Sequence, residues 1–135
     1  MPRENTFQRR TKETEIKISL NINGKGKADV STSIPFLDHL LNNFAKHGLF
    51  DLVIKAKGDI EIDQHHLVED IGICLGEAFK NALGDKKGIN RSGYFVFPLD
   101  EALSVVVLDI SGRALLDFNC QFKKEKIGDL DSDLI

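Results

Sequence analysis

The chain repeats itself. Leu20-Asn21-Ile22-Asn23-Gly24 returns as Leu108-Asp109-Ile110-Ser111-Gly112, 88 residues later (108 − 20), and at that spacing Glu13 falls on Glu101 and Asp29 on Asp117. The order of elements agrees as well, a hairpin pattern followed by a helical one. Such a repeat is one supersecondary unit that cannot bury its apolar face alone, so two must stack. The first copy runs through two helical patterns to about residue 84. The second reaches only Asp131-Ser132-Asp133-Leu134-Ile135, which reads as the start of its first helix. The expectation is a two-repeat protein from which about 50 to 60 residues are missing.

Local patterns fill in the first copy. Ile16, Ile18, Leu20 and Ile22 alternate along Glu15 to Ile22, a half-buried strand. Asn23-Gly24 is a tight-turn signal, and Lys27 to Thr32 can return as the partner strand. Ser33-Ile34-Pro35 opens a helix, because proline at the first position gives up no needed N–H. Its buried stripe is Phe36, Leu37, Leu40, Leu41 and Phe44, and Gly48 is a suitable terminator. Phe50 to Lys57 reads as a third strand, followed by a break at Gly58-Asp59. Past Gly88, Tyr94 to Pro98, Leu103 to Ile110 and Ala114 to Phe122 are strand candidates, with Ser111-Gly112 as a hairpin turn. Strand pairs and helices alternate without regular β-α-β crossovers, which gives an α+β fold with a mainly antiparallel sheet. Residues 1–88 form the first β-β-α-β-α repeat and 89–135 the hairpin part of the second.

Asp63-Gln64-His65-His66-Leu67-Val68-Glu69-Asp70 carries the chemistry. Four residues apart on a helix, His65 and Glu69 share a face, whereas His65 and His66 diverge by roughly 100°. Two adjacent histidines so splayed are poorly placed to hold one ion with Glu69, and suit two metal centres better. Imidazole and carboxylate donors fit manganese, zinc or iron. The positive end of the helix dipole disfavours a protonated ring, which keeps the histidines available as ligands. The apolar face of this helix is Leu67, Ile71, Cys74, Leu75, Ala78 and Ala82. Gly72 and Gly76 stand with His65 and Glu69 on the other side, where each costs about 1 kcal/mol relative to alanine. Their presence suggests close approach of another backbone or subunit. The spacing is not the His-Glu-x-x-His of zinc proteases.

Composition narrows the classes. A chain of 135 residues with 41% hydrophobic and 29% charged residues fits one soluble domain, and a net charge of −3 leaves no basic footprint for nucleic acid. Cys74 and Cys120 make no disulfide framework. No apolar run spans a membrane, and Met1 to Arg10 is too polar for a secretory signal, so a reducing cytoplasm is the default.

Taken together, Arg10-Thr11-Lys12-Glu13-Thr14, Ile34-Pro35-Phe36-Leu37-Asp38-His39, His47-Gly48, the 63–70 block, Ser111-Gly112-Arg113 and Glu125-Lys126-Ile127-Gly128 resemble the imidazoleglycerol-phosphate dehydratases of histidine biosynthesis. Ser33 and Leu40 stand where that family usually has glycine and methionine, and its second His-His-x-x-Glu block is absent. The resemblance implies two sheet-and-helix repeats of the ribosomal protein S5 domain 2-like kind, the second incomplete here. It implies homo-oligomers of 24 subunits with sites at their contacts, and two manganese ions per complete site. Carried over by position, His39, His65, His66 and Glu69 are metal ligands, and Glu13 is the acid/base group. His39 to His47 lines the phosphorylated imidazole substrate, and Arg91 and Arg113 hold its phosphate. Four ligand side chains for two ions leave the shells unfilled, so this chain is expected to lack the full site. Each residue also has a local reading: His39 lies off its helix's buried stripe, Glu13 is otherwise a surface carboxylate, and Arg91 and Arg113 sit in turns. A non-catalytic metal-binding module and an unrelated metallohydrolase are the competing classes.

Overall fold

Strand β2 (Thr14–Asn21) alternates buried and exposed along its length, and Ile16, Ile18 and Leu20 are almost wholly covered. The computed structural model describes residues 2–135. These divide into two units, one running to Gly84 and taking in Phe122–Ile135, the other Asp85–Gln121. In the first unit β1 (Glu4–Arg10), β2, β3 (Ala28–Ser31) and β4 (Asp51–Gly58) form a sheet of order β1-β2-β4-β3. Registers such as Ile16↔Ala56, Ile18↔Ile54 and Leu20↔Leu52 bring the apolar rows of β2 and β4 onto one face. Helix α1 (Pro35–Gly48) packs on β3 and β4, and α2 (His65–Leu83) on β1, β2 and β4. The core lies between that face and the helices, and includes Ile34, Ala45, Leu67, Ile71, Cys74 and Ala78. Each fully buried aliphatic side chain contributes about 1.5–3 kcal/mol.

The predicted hairpin at Asn23-Gly24 does not form. β1 and β4 occupy both edges of β2, and β3 pairs with β4 in parallel. The connection is longer than a two-residue turn, because Asp51 Oδ1 accepts the N–H groups of Lys25 (2.8 Å) and Lys27 (3.0 Å) and draws the chain across β4. The polar edge strand β1 carries no apolar alternation, and sequence reading passed over it. The α1 stripe is only half covered: Phe36, Leu37, Leu40 and Leu41 are partly buried, and Phe44 is 41% exposed against Phe50 and Phe79.

In the second unit β5 (Ser92–Leu99) and β6 (Ala102–Asp109) form an antiparallel hairpin, all of it exposed. Its register repeats that of β1–β2 to the residue: Glu4↔Asn21 becomes Ser92↔Asp109, both members displaced by 88. The repeat seen in sequence is therefore a repeat of strand pairing. Ala114 to Phe122 forms no strand. Its counterpart in the first copy, β3, is held by β4 alone, and among the described residues the second unit has no strand that answers to β4. Phe122–Ile135 returns to the first unit, where β7 (Lys126–Ile127) and β8 (Leu130–Asp131) precede a short 3-10 turn at Ser132–Leu134. No helix among the described residues is long and apolar enough to cross a membrane.

Candidate functional site

The start of α2 is built by the loop after β4 and by the returning tail. Gln64, at the position before the helix, makes no side-chain bond to it and ties it to the tail instead, with its amide donating to the Asp129 carbonyl (2.7 Å), while its carbonyl accepts from the Asp131 N–H (3.4 Å). Asp129 Oδ1 also accepts the Phe36 N–H (2.9 Å), so one aspartate satisfies an open donor of α1 while its carbonyl holds the cap residue of α2. Gly58 lets the end of β4 lie close against α2: a Cβ there would lie 3.1 Å from Leu67 Cβ and 3.4 Å from Thr14 Cγ2.

Two histidine–carboxylate pairs occupy this end of α2. His65 Nε2 lies 2.9 Å from Glu69 Oε2, as the i, i+4 spacing predicts. His66 turns the other way, its Nδ1 3.3 Å from Asp59 Oδ2, and the two rings are 6.0 Å apart at 80°. A carboxylate only accepts, so Nδ1–H of His66 donates and its Nε2 is left open as a ligand atom. The other Asp59 oxygen, Oδ1, is buried without a partner. The His66 pKa is raised above the ordinary imidazole value, first by the Asp59 hydrogen bond and further by the charges of Asp59, Glu13 and Asp63. The direction is opposite to the one expected from the helix end, because His66 faces carboxylates.

Glu13 stands in the β1–β2 loop, exposed, its N–H donating to Thr11 Oγ1 (3.1 Å). It lies close enough to His66 for its charge to act there. His39 is exposed on α1, stacked on Phe36 with ring centroids 6.1 Å apart, and its Nε2 accepts from the Asn43 amide (3.0 Å). His47 is exposed in the last turn of the same helix. Among the described residues no three His, Cys, Asp or Glu side chains are gathered around one point. His39 is thus not brought to the α2 pairs within this chain. The donors fit divalent ions in kind, and each pair supplies two of the roughly four to six that such ions take.

Arg91 and Arg113 belong to the second unit, at the open end of its hairpin. Arg91 already forms a two-pronged pair with Asp109, Nε to Oδ1 at 2.6 Å and Nη2 to Oδ2 at 2.9 Å. That contact raises the Arg91 pKa and holds the Asp109 carboxyl below its usual range. Arg113 is exposed in the turn that follows β6, its N–H on Ser111 Oγ (3.2 Å). Gly72 and Gly76 have nothing within 4 Å of where a Cβ would stand, so among the described residues none makes the close approach read from them.

Sequence reading missed Asp59, Asp70, Thr14 and Arg9. Asp59 reads as turn chemistry after Gly58, and only the loop back to α2 brings it to His66. Asp70 left a signal: it is a carboxylate among Leu67, Ile71 and Cys74, on the apolar row.

Residues 32–135 match the profile of imidazoleglycerol-phosphate dehydratase. The chain belongs to this family. The imidazoleglycerol-phosphate dehydratases are hydro-lyases, and the sequence relatives carry the name throughout. That of Geobacter sp. (strain M21) is 59% identical over 135 residues, spanning 100% of this chain and 69% of the relative. That of Acetivibrio thermocellus is 55% identical with the same coverage. Among solved structures, the dehydratase of Staphylococcus aureus subsp. aureus N315 superposes with a TM-score of 0.83 at 37% identity, over 96% of this chain and 72% of that one. The Pyrococcus furiosus enzyme gives 0.70 at 38% identity, over 87% and 63%. This chain thus spans about two thirds of its relatives' length.

Proposed function

We propose that this chain serves the manganese-dependent dehydration of imidazole glycerol phosphate to imidazole acetol phosphate in histidine biosynthesis, in the cytoplasm and as part of a homo-oligomer. The observation that supports this best is the pair of diverging histidine–carboxylate contacts at one helix start, with Glu13 within electrostatic reach, in a chain of this family. His65 with Glu69 would hold one ion and His66 the other, with His39 joining one of the two shells from another subunit. Asp59 fixes the His66 ring and directs Nε2 outward. When bound, the two ions supply Lewis acidity to the nitrogens of the substrate's imidazole ring.

The chain's own residues do the rest. The proton to be removed sits on a carbon without a carbonyl beside it, so a placed base is needed. The Glu13 carboxylate takes it, and the hydroxyl on the ring-bearing carbon leaves as water once protonated. The enol that remains becomes the ketone, and the balance is the loss of one water. The segment His39 to His47 would line the substrate. Arg91 and Arg113 would hold the phosphate, for which Arg91 exchanges one oxyanion partner, Asp109, for another.

We further propose that the chain does not hold both ions tightly by itself, because its described residues gather donors only in pairs. The deciding assay is turnover of imidazole glycerol phosphate with added manganese, in this chain and in the same chain extended to its relatives' length. Activity in the extended chain alone supports both statements. Activity in both overturns the second. Silence in both overturns the first and favours a non-catalytic metal-binding module.

A further inference from the structure

Asp70 is a carboxylate on the buried face of α2, 9% exposed, in a row with Leu67, Ile71 and Cys74. Burial of an ionised carboxylate is costly unless it is paired and hydrogen-bonded. Here it is both. Thr14 Oγ donates to Oδ2 at 2.5 Å, and Arg9 Nε stands 3.1 Å from Oδ1. Arg9 reaches it because the register Arg9↔Ile16 places it on the inner face of β1.

Both partners flank the loop that carries Glu13, and a chain of hydrogen bonds runs through it. The Glu13 and Thr14 N–H groups donate to Thr11 Oγ1 at 3.1 and 2.9 Å. Thr11 and Thr14 hydroxyls are 3.0 Å apart. Because the Thr14 proton is committed to Asp70, Thr11 must be the donor between them, and the whole series points one way, into the carboxylate. Thr14 is 4% exposed, and its methyl group lies 3.4 Å from where a Cβ at Gly58 would stand. The loop is thereby fastened to the same helical turn that presents His66 and Glu69.

An ion pair with one buried and one exposed member, such as Asp70 with Arg9, is weak evidence for stability. What this one does supply is a fixed distance. We propose that Asp70 is a positioning residue: through Thr14 and Thr11 it sets where Glu13 stands relative to the His66 side of α2. This rests on the reading of Glu13 as the acid/base group.

The test uses Asp70→Asn, Thr14→Val and Thr14→Ser, the threonine pair remaining informative if the aspartate variant folds poorly. In the metal-free chain, amide exchange at Glu13 and Thr14 is expected to quicken at least tenfold in Thr14→Val while amides of residues 71–82 keep their protection; Thr14→Ser should behave as the parent. In whichever chain of the turnover assay is active, Thr14→Val should lower kcat by roughly 10- to 100-fold, the scale of an ångström's misplacement. KM should stay within about twofold and Thr14→Ser should restore kcat. Equal quickening of exchange throughout α2, or unchanged kcat where Glu13→Gln is inactive, overturns the positioning role. Full activity of Glu13→Gln overturns instead the reading on which it rests.

Discussion

Ser33 holds a left-handed backbone, φ 68°, in the step from β3 into α1. A side chain there crowds its own carbonyl and costs about 1–2 kcal/mol, which glycine would not incur. Ser33→Gly is expected to stabilise the chain by about 1 kcal/mol, read as a higher urea midpoint with unchanged slope. Asp51 sets a pH dependence. Its carboxyl is held below the ordinary value, first by the Lys25 N–H and then by that of Lys27. A depressed pKa means its contribution is whole above the ordinary carboxylate range and is lost as pH falls through the folded value. Acid unfolding should therefore be shallower in Asp51→Asn than in the parent over that acid window, and an identical pH profile would remove Asp51 from the account. In the chain extended to its relatives' length, replacing His65 by alanine should remove bound manganese, checked by metal content after desalting; a variant that keeps both ions and turnover would remove His65 from the ligands. At this scale, spacing alone gave the His65–Glu69 contact and the divergence of His66, because one helix orders all three. Asp59 was hidden because a loop, not a period, carries it to His66. The occupation of Arg91 by Asp109 was hidden for the same reason, the partner being 18 residues away across a hairpin.

Elements were legible wherever one face was buried. β2, β4 and α2 announce themselves by period because a core lies against each. β1 is an edge strand with a polar sequence, and nothing in such a segment distinguishes pairing from solvation. The segment Ala114 to Phe122 has the residues of a strand but forms none, which shows that alternation records a capacity rather than a pairing. The glycines of α2 give the sharpest test here. Gly72→Ala and Gly76→Ala should each stabilise the dilute chain by about 1 kcal/mol, since helix propensity is then the only term. Thermal unfolding at low concentration would show it. A loss of stability instead would mean that another copy packs on the stripe.

For the molecule as a whole, the two units differ in what covers them. In the first, two helices bury the sheet's inner face; in the second, Phe95, Phe97, Val105, Val106 and Val107 of a two-stranded hairpin are exposed. A two-stranded hairpin is marginally stable in water. Brief trypsin or chymotrypsin treatment should cut within residues 85–121 well before it cuts β2 or α2, with mass spectrometry locating the sites. The 88-residue offset was legible from five matching residues, but the strand register that it repeats was not, because one of its strands is β1. The return of the tail was not, because Leu130 is buried against elements nearly a hundred residues earlier and no local pattern carries that. That tail has a practical side. Asp133 and Leu134 line the same hollow as His65 and Glu69. Anything joined after Ile135 therefore leaves from beside the candidate ligands, and a polyhistidine purification tag placed there would itself compete for the metal. Metal stoichiometry belongs to a chain tagged at its other end.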